Sequence, residues 1–544
     1  MWERRWTPVH RRVSSSAREL AMVFSHVKTR RGSIGGGLCL IGLVFASALP
    51  SACTTTAAPT EPKSNSPVTL TVGLPVQTGQ DPLHGVMQAS RLVSREGLIL
   101  PNRDGRAQAR LAESWVESPD GLTWTFRLRP TAVFHDGSRV DSYAVKASLE
   151  RSLSSGDVYQ YPGLGDIVSL ETPTADELVI RLRDRSTFLL DDLGVSILKP
   201  ADRGALIAAG PYVPETTADN ELAMRAFSRY YRGAPKIERI VWKAYPTVRT
   251  AWAAMMRGEI DFLYEVGQEA REFIEGENSV AVFPFLRNYV YAVALNTKRP
   301  MFKDGRVRRA LNYAVDRASI VRQGFKGHAR PESGSAWPQH WAYDGDVPTY
   351  SYDPQRAAAL LDAASIPTAV SGGPDLRPAR LRFTCLLPEG FPLWEKIGLL
   401  VQKNFWSIGV DMKLETVSVS DFTSRILAGN FDAVLSEIVV GNTASRPFTF
   451  WYSNSKQNVW GYSNTNVDRA LLAIRHAASE AQYRLAFRDF QLEMLEDPPA
   501  VFLALGETSR AVSKRFRVVA LPASDILSTI SDWQVAEPVS RTAN

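Results

Sequence analysis

Cysteine is nearly absent: the 544-residue chain has three, at positions 39, 53 and 385. Cleavage ahead of Cys53 leaves two and acylation of Cys53 leaves one, so no disulfide framework and no cysteine metal cluster is available. Histidine is scarce too. Beyond residue 52 stand His84, His135, His328, His340 and His476, none paired at HxH or HExxH spacing, which removes the usual zinc signatures. GxSxG, GxxxxGK[ST] and GxGxxG are missing as well. Together these absences argue against a hydrolase, a metalloenzyme and a nucleotide enzyme.

A charge surplus is also missing once the charges are located. Of 63 basic and 57 acidic side chains, residues 1–52 hold eight and two, which leaves 55 of each in the rest. The basic isoelectric point therefore belongs to the leader, and nothing calls for a nucleic-acid partner. The leader has an order of its own. Lys28, Arg30 and Arg31 precede an apolar stretch, Gly37 to Leu49, and small residues then lead to Cys53. That stretch is too short to span about 30 Å of hydrocarbon, so residues 1–52 read as an export signal, with Met22 as an alternative start. Leu49-Pro50-Ser51-Ala52-Cys53 resembles a lipobox, in which the cysteine is acylated, although Pro50 stands where an aliphatic residue is usual. Thr54 to Pro67 has no aromatic or large aliphatic side chain and cannot order itself by burial. As a tether it would have a coil span of roughly 20 Å and an extended reach of roughly 45–50 Å.

What remains is ordinary globular sequence, 44% hydrophobic and 22% charged, long enough for about three domains. Leu122, Trp124, Phe126 and Leu128 alternate with Thr123, Thr125, Arg127 and Arg129, the period of a strand with one buried face. His135-Asp136-Gly137 follows, and Asp141 then caps a helix carrying Val145, Leu149 and Leu153. A histidine beside an aspartate could be half of a catalytic site, but a turn residue bonding its own backbone is the simpler reading. Asp304 and Asp353-Pro354 read as further helix starts, Val248 to Arg257 as a helix ending at Gly258, and Leu381 to Leu387 as a strand burying Cys385. Helices and strands keep alternating to the end, which predicts open α/β sheets covered by helices.

Several segments, taken in order, resemble one family. They are Leu111-Ala-Glu-Ser-Trp115, Asp120-Gly-Leu-Thr-Trp-Thr-Phe126, Phe134-His-Asp-Gly137 and Val145-Lys-Ala-Ser-Leu-Glu-Arg151. Gly210-Pro-Tyr212, Tyr230-Tyr-Arg-Gly-Ala-Pro-Lys-Ile237, Gly258-Glu-Ile-Asp261, Tyr313-Ala-Val-Asp-Arg317, Tyr352-Asp-Pro354 and Gly461-Tyr-Ser-Asn464 continue the series. The pattern is similar to the bacterial extracellular solute-binding proteins of family 5, the peptide/nickel-type receptors of ABC importers. The resemblance implies a periplasmic-binding-protein-like α/β fold with two lobes and an inserted domain. Residues 68–98, 204–284 and 500–544 would form lobe I, residues 99–203 the inserted domain, and residues 285–499 lobe II. It also implies a monomeric receptor without catalytic residue, cofactor or metal. Its partners would be a small-molecule or peptide ligand, the ABC permease subunits, and the membrane through lipid on Cys53.

A micromolar dissociation constant corresponds to about −8 kcal/mol, within reach of a few stacked aromatics and paired polar groups. Trp337, Trp341, Trp451 and Trp460 sit in Pro-, Gly-, Ser- or Asn-rich surroundings, where a large aromatic either anchors a loop or walls a ligand. With Asn442 and Arg446, the first three of these tryptophans form the candidate ligand-binding set. Peptide-binding members of the family carry an aspartate after the strand corresponding to Phe431–Leu435. Here Ile438 to Val467 contains no acid, only Arg446 and Lys456. A buried ammonium without a carboxylate is costly, so a neutral or anionic solute is expected unless Glu437 or a residue from elsewhere compensates. A ligand sensor on the same scaffold and an exported enzyme are the alternatives.

Overall fold

The computed structural model describes residues 67–76, 81–218, 221–366, 378–522 and 524–537. The export signal, Cys53 and the tether through residue 66 lie outside them. Among the described residues no helix is long and apolar enough to cross a membrane.

The strands are β1 (Thr69–Pro75), β2 (Ile99–Pro101), β3 (Ala107–Ala109), β4 (Ala112–Glu117), β5 (Thr123–Leu128), β6 (Ile167–Thr174), β7 (Glu177–Leu182), β8 (Lys199–Pro200), β9 (Leu206–Ile207), β10 (Tyr212–Ala218), β11 (Glu221–Ala226), β12 (Arg239–Tyr245), β13 (Phe262–Val266), β14 (Val280–Leu295), β15 (Ala329–Pro331), β16 (Leu381–Pro388), β17 (Val410–Val417), β18 (Ala433–Val439) and β19 (Ala500–Ser513). The main sheet runs β10-β11-β12-β1-β13-β19-β14-β18-β16-β17, with β15 on β19. It contains two parallel patches. In one, β1 pairs with β12 and β13; in the other, β16 pairs with β17 and β18.

The sequence explains the difference between patch and rim. Strands covered on both faces are apolar without alternation: Cys385, Leu386 and Leu387 on β16, and Ala433, Val434 and Leu435 on β18, are all fully buried. Burial pushes the Cys385 thiol up to about 12, so it stays a protonated, inert core side chain. By contrast the four-stranded antiparallel sheet β4-β5-β7-β6 keeps one wet face. There Trp124, Phe126 and Leu128 turn inward while Arg127 points out, as the alternation predicts. Helix starts follow their caps: Asp141 accepts from Ala144 N, Asp304 from Arg306 N, and Asp353 from Arg356 N ahead of a first-turn proline.

Two long strands join the patches. Residues 280–286 of β14 pair with 513–507 of β19, and residues 290–294 pair with 505–500. Between them the register breaks: Leu286 faces Glu507 and Val290 faces Leu505, so Arg287, Asn288 and Tyr289 stand opposite Gly506 alone. A Cβ on Gly506 would lie 3.0 Å from the Tyr291 ring, which makes the crossover tight at this point. Burial changes across the break as well. Phe283 to Tyr289 are partly exposed, whereas Val290 to Leu295 are buried.

The cores fall into separate clusters. One gathers Val290–Leu295, the β16 and β18 side chains and Val501–Leu505; another gathers Leu98, Trp124, Phe126, Val145, Leu149 and Ile180; a third gathers Leu70, Val72, Trp242, Phe262 and Trp533. Phe188 is an exception with consequences: it comes from the 99–203 segment but packs edge-on against Phe448, centroids 5.3 Å apart, in the first cluster.

Candidate ligand-binding cleft

The two parallel patches face each other across the crossover break. On one side Val266, the last residue of β13, pairs with Ser509; on the other Val439, the last residue of β18, pairs with Tyr289. The carboxyl ends of β1, β12 and β13 and those of β16, β17 and β18 therefore point at the break from opposite directions. Loops beyond such strand ends are where open α/β sheets place their ligands, because they leave backbone donors and variable side chains at a crevice.

The chemistry at the break is mostly paired charge. Arg287 Nη1 lies 3.1 Å from Glu437 Oε1, and the guanidinium covers the Tyr289 ring at 4.8 Å. Burial works against the Arg287 charge, but Glu437 and Glu265 outweigh it and hold the group protonated. Burial, with Glu437 beside it, pushes the Tyr291 hydroxyl well up. Arg271 pairs with Glu507, and His328 Nδ1 lies 3.7 Å from the same carboxylate. Asn288 O accepts from Val440 N at 3.0 Å, which ties the crossover to the turn after β18.

Arg103 arrives from another direction. Asn102 and Asp104 fold the link between β2 and β3 into a tight turn: Asn102 Oδ1 accepts from Asp104 N and Arg106 N, and Asp104 Oδ1 also accepts from Arg106 N. From this hairpin Arg103 Nη2 donates to Leu286 O at 3.2 Å, Nε donates to Gln339 Oε1, and the guanidinium lies 5.1 Å over Trp337.

Most of the sequence-derived candidates gather on the surface that receives the 99–203 segment. Trp337 is 3% exposed and donates from Nε1 to Arg103 O at 2.9 Å. Trp341 lies between Arg106 and Arg484, at 4.7 and 4.9 Å, and its backbone N donates to Asp104 O at 3.0 Å. Asn442 donates from Nδ2 to Pro101 O and Asn102 O. Arg446 Nη1 donates to Gln160 O at 2.8 Å and stacks over Tyr161 at 4.8 Å. Trp451 lies apart. It is 1% exposed and meets Tyr462 and Phe502 edge-on in the core, the loop-anchoring alternative; Trp460 packs in the same core.

The segment is fastened there by more than these contacts. Arg475 pairs with Asp166 at 2.5 Å, and Asp192 accepts from Ser445 Oγ at 2.9 Å and Gly163 N at 2.7 Å. Burial raises Asp192 to about 6 and, with the charge of Asp192 beside it, raises Asp191 well above the usual carboxylate range. His135-Asp136-Gly137 lies in the same segment as a turn. Asp136 accepts from Ser138 N and Lys199 Nζ, His135 Nε2 lies 2.9 Å from Gly210 O, and Gly137 has φ of 85°. Among the described residues no three His, Cys, Asp or Glu side chains are grouped to hold a metal ion.

Sequence reasoning missed Arg103 and Arg287. Arg103 lies in an unremarkable turn, and only its placement against Leu286 reveals it; Arg287 is one arginine in a long strand. Glu437 was legible as the last acid before the acid-free stretch.

A model of the bacterial extracellular solute-binding proteins, family 5, matches residues 106–460. The chain belongs to this family. Among curated relatives, the glutathione-binding protein of Pectobacterium atrosepticum is 25% identical over 474 residues, covering 80% of this chain and 88% of its own. A probable D,D-dipeptide-binding periplasmic protein of Escherichia coli is 26% identical over 439 residues, covering 75% and 81%. Among solved structures, Campylobacter jejuni NikZ in complex with Ni(L-His) superposes with a TM-score of 0.74 at 22% identity, covering 86% of this chain and all of that one. Bacillus subtilis AppA in complex with a nonapeptide gives 0.72 at 20%, covering 87% and 100%. The fold is therefore the two-lobed family 5 architecture with its additional domain, and the family is one of exported binding proteins, not of enzymes.

Proposed function

We propose that this family 5 protein is the extracytoplasmic receptor of an ABC importer, taking a peptide-like or other small polar solute into the interlobe cleft and passing it to permease subunits. The observation that carries the reading is the convergence of two sets of parallel-strand ends on one break in the β14–β19 crossover. Relatives named for glutathione, D,D-dipeptides and oligopeptides make short peptides and their derivatives the first class to test. Lobe I is drawn at 68–98, 204–284 and 500–544, the inserted domain at 99–203 and lobe II at 285–499; the separate cores support this division, although residues 500–505 and Phe188 pack in the lobe II cluster and Leu98 in that of the inserted domain. Trp337, Trp341, Asn442 and Arg446 hold the inserted domain against lobe II, and the solute is enclosed beside them at the crossover. The chain works as a monomer carried on lipid at Cys53, without cofactor, its tether leaving room for the lobes to move.

Closure must be driven by higher affinity of the closed form for the solute. Native mass spectrometry of protein purified without denaturation tests the reading. A small molecule that co-purifies, is released unchanged on unfolding and rebinds on refolding supports it. A guest that emerges chemically converted contradicts it.

A further inference from the structure

Three of the arginines around the crossover have acids of their own: Arg271 has Glu507, Arg287 has Glu437, and Arg510 has Asp525. Arg103 does not. It is partly buried, and its hydrogen bonds go to an amide oxygen and a backbone carbonyl, both neutral. Among the described residues no carboxylate pairs with it. Neutral acceptors take Nε and one donor of Nη2 without balancing the charge, which leaves Nη1 and the second Nη2 donor to meet a planar anion. Its position is fixed on three sides, by Leu286 O, Gln339 and the Trp337 face, so an incoming group meets a preorganised cation. Glu437, the one acid between Asp432 and Asp468, already has its charge paired with Arg287.

We infer that the cleft selects a solute carrying a carboxylate-class anion, received by Arg103 beside the crossover, and lacking a free ammonium. This rests on the receptor reading above and narrows its substrate class. The acid-free stretch from Ile438 to Val467 has the same bias. Glu265, exposed at the end of β13, is the opposing charge nearby, and it acts on Arg287.

The test uses the full chain, stripped of bound molecules by reversible unfolding, and three charge-sorted fractions of yeast extract at pH 7. One fraction is retained by an anion exchanger, one by a cation exchanger and one by neither. Native mass spectrometry identifies what binds, and titration calorimetry with the purified molecule measures affinity. Wild-type protein is expected to draw its guest from the anionic fraction, with Arg103→Gln binding that molecule at least tenfold more weakly and Arg103→Lys falling between them. Circular dichroism and the unfolding temperature confirm that each variant is folded; if the Gln variant is not, the Lys variant carries the comparison. A guest from the neutral or cationic fraction, or unchanged affinity in a folded Arg103 variant, overturns the inference and leaves the receptor reading standing. Binding from none of the fractions overturns both.

Discussion

Gly105→Ala probes the docking of the inserted domain with the smallest possible change. Gly105 has φ of +87°, a conformation that costs an L-residue roughly 1–2 kcal/mol wherever the hairpin sits. A Cβ there would lie 2.3 Å from Asn442 O and 2.8 Å from His340 Cδ2. Neither neighbour can yield: one is backbone, and the other is stacked flat on Phe487 with centroids 4.6 Å apart and planes 2° from parallel. The hairpin must lift off lobe II. It would then lose the bonds from Trp337 Nε1 to Arg103 O, from Trp341 N to Asp104 O, and from Asn442 Nδ2 to Pro101 O and Asn102 O. At about 0.5–1 kcal/mol each, these sum to roughly 2–4 kcal/mol. On the receptor reading this docking forms as the lobes close, so the loss is expected to fall on solute affinity, which would drop roughly thirty- to a thousandfold. The left-handed strain is present in open and closed forms alike and lowers the unfolding temperature without altering affinity. Titration calorimetry with the co-purified solute measures the first effect, and thermal unfolding measures the second. A folded Ala variant with affinity within twofold of wild type would refute the closed-state role of the hairpin.

Other outcomes follow from the same interface. Asp166→Ala leaves the partly buried Arg475 without its acid and is expected to cost at most about 3 kcal/mol, read from denaturant unfolding. Asp192 is fully buried and raised from 3.8 to about 6, so the fold favours its protonated form. That preference is fully present below about pH 4 and is lost as pH rises through about 6, a swing of roughly 3 kcal/mol. The stability of Asp192→Asn relative to wild type should therefore grow between pH 4.5 and 7.5; a constant difference counts against the assignment. Glu437→Gln frees Arg287 of its acid and should strengthen binding of an anionic solute severalfold by calorimetry, while weaker binding would place Glu437 on the ligand.

Legibility in the sequence divided along a physical line. Local chemistry was readable: the caps at Asp141, Asp304 and Asp353, the alternation through Trp124 and Phe126, and the turn at Asp136-Gly137 depend on neighbours a few residues away. The ends of the Val248 helix were read to within a residue, since Thr247 caps it and Gly258 takes a positive φ just beyond. The candidate site was readable only in part. Trp337, Trp341 and Asn442 stood out as ligand-binding candidates, but the hairpin more than 200 residues earlier that they contact depends on the crossover topology. Arg103 gains its meaning only when Leu286 is placed beside it, and no periodicity links the two. Trp451 stood among the ligand-binding candidates with core anchoring as the alternative, and its ring packs between Tyr462 and Phe502 in the core.

The central claim is that two lobes hinged at Arg287–Tyr289 and Gly506 close on a guest and release it intact. Small-angle scattering of the stripped protein, before and after addition of the co-purified molecule, addresses it directly. The radius of gyration should fall on addition and recover when the molecule is removed. An envelope that does not change while calorimetry shows the molecule bound would contradict the account.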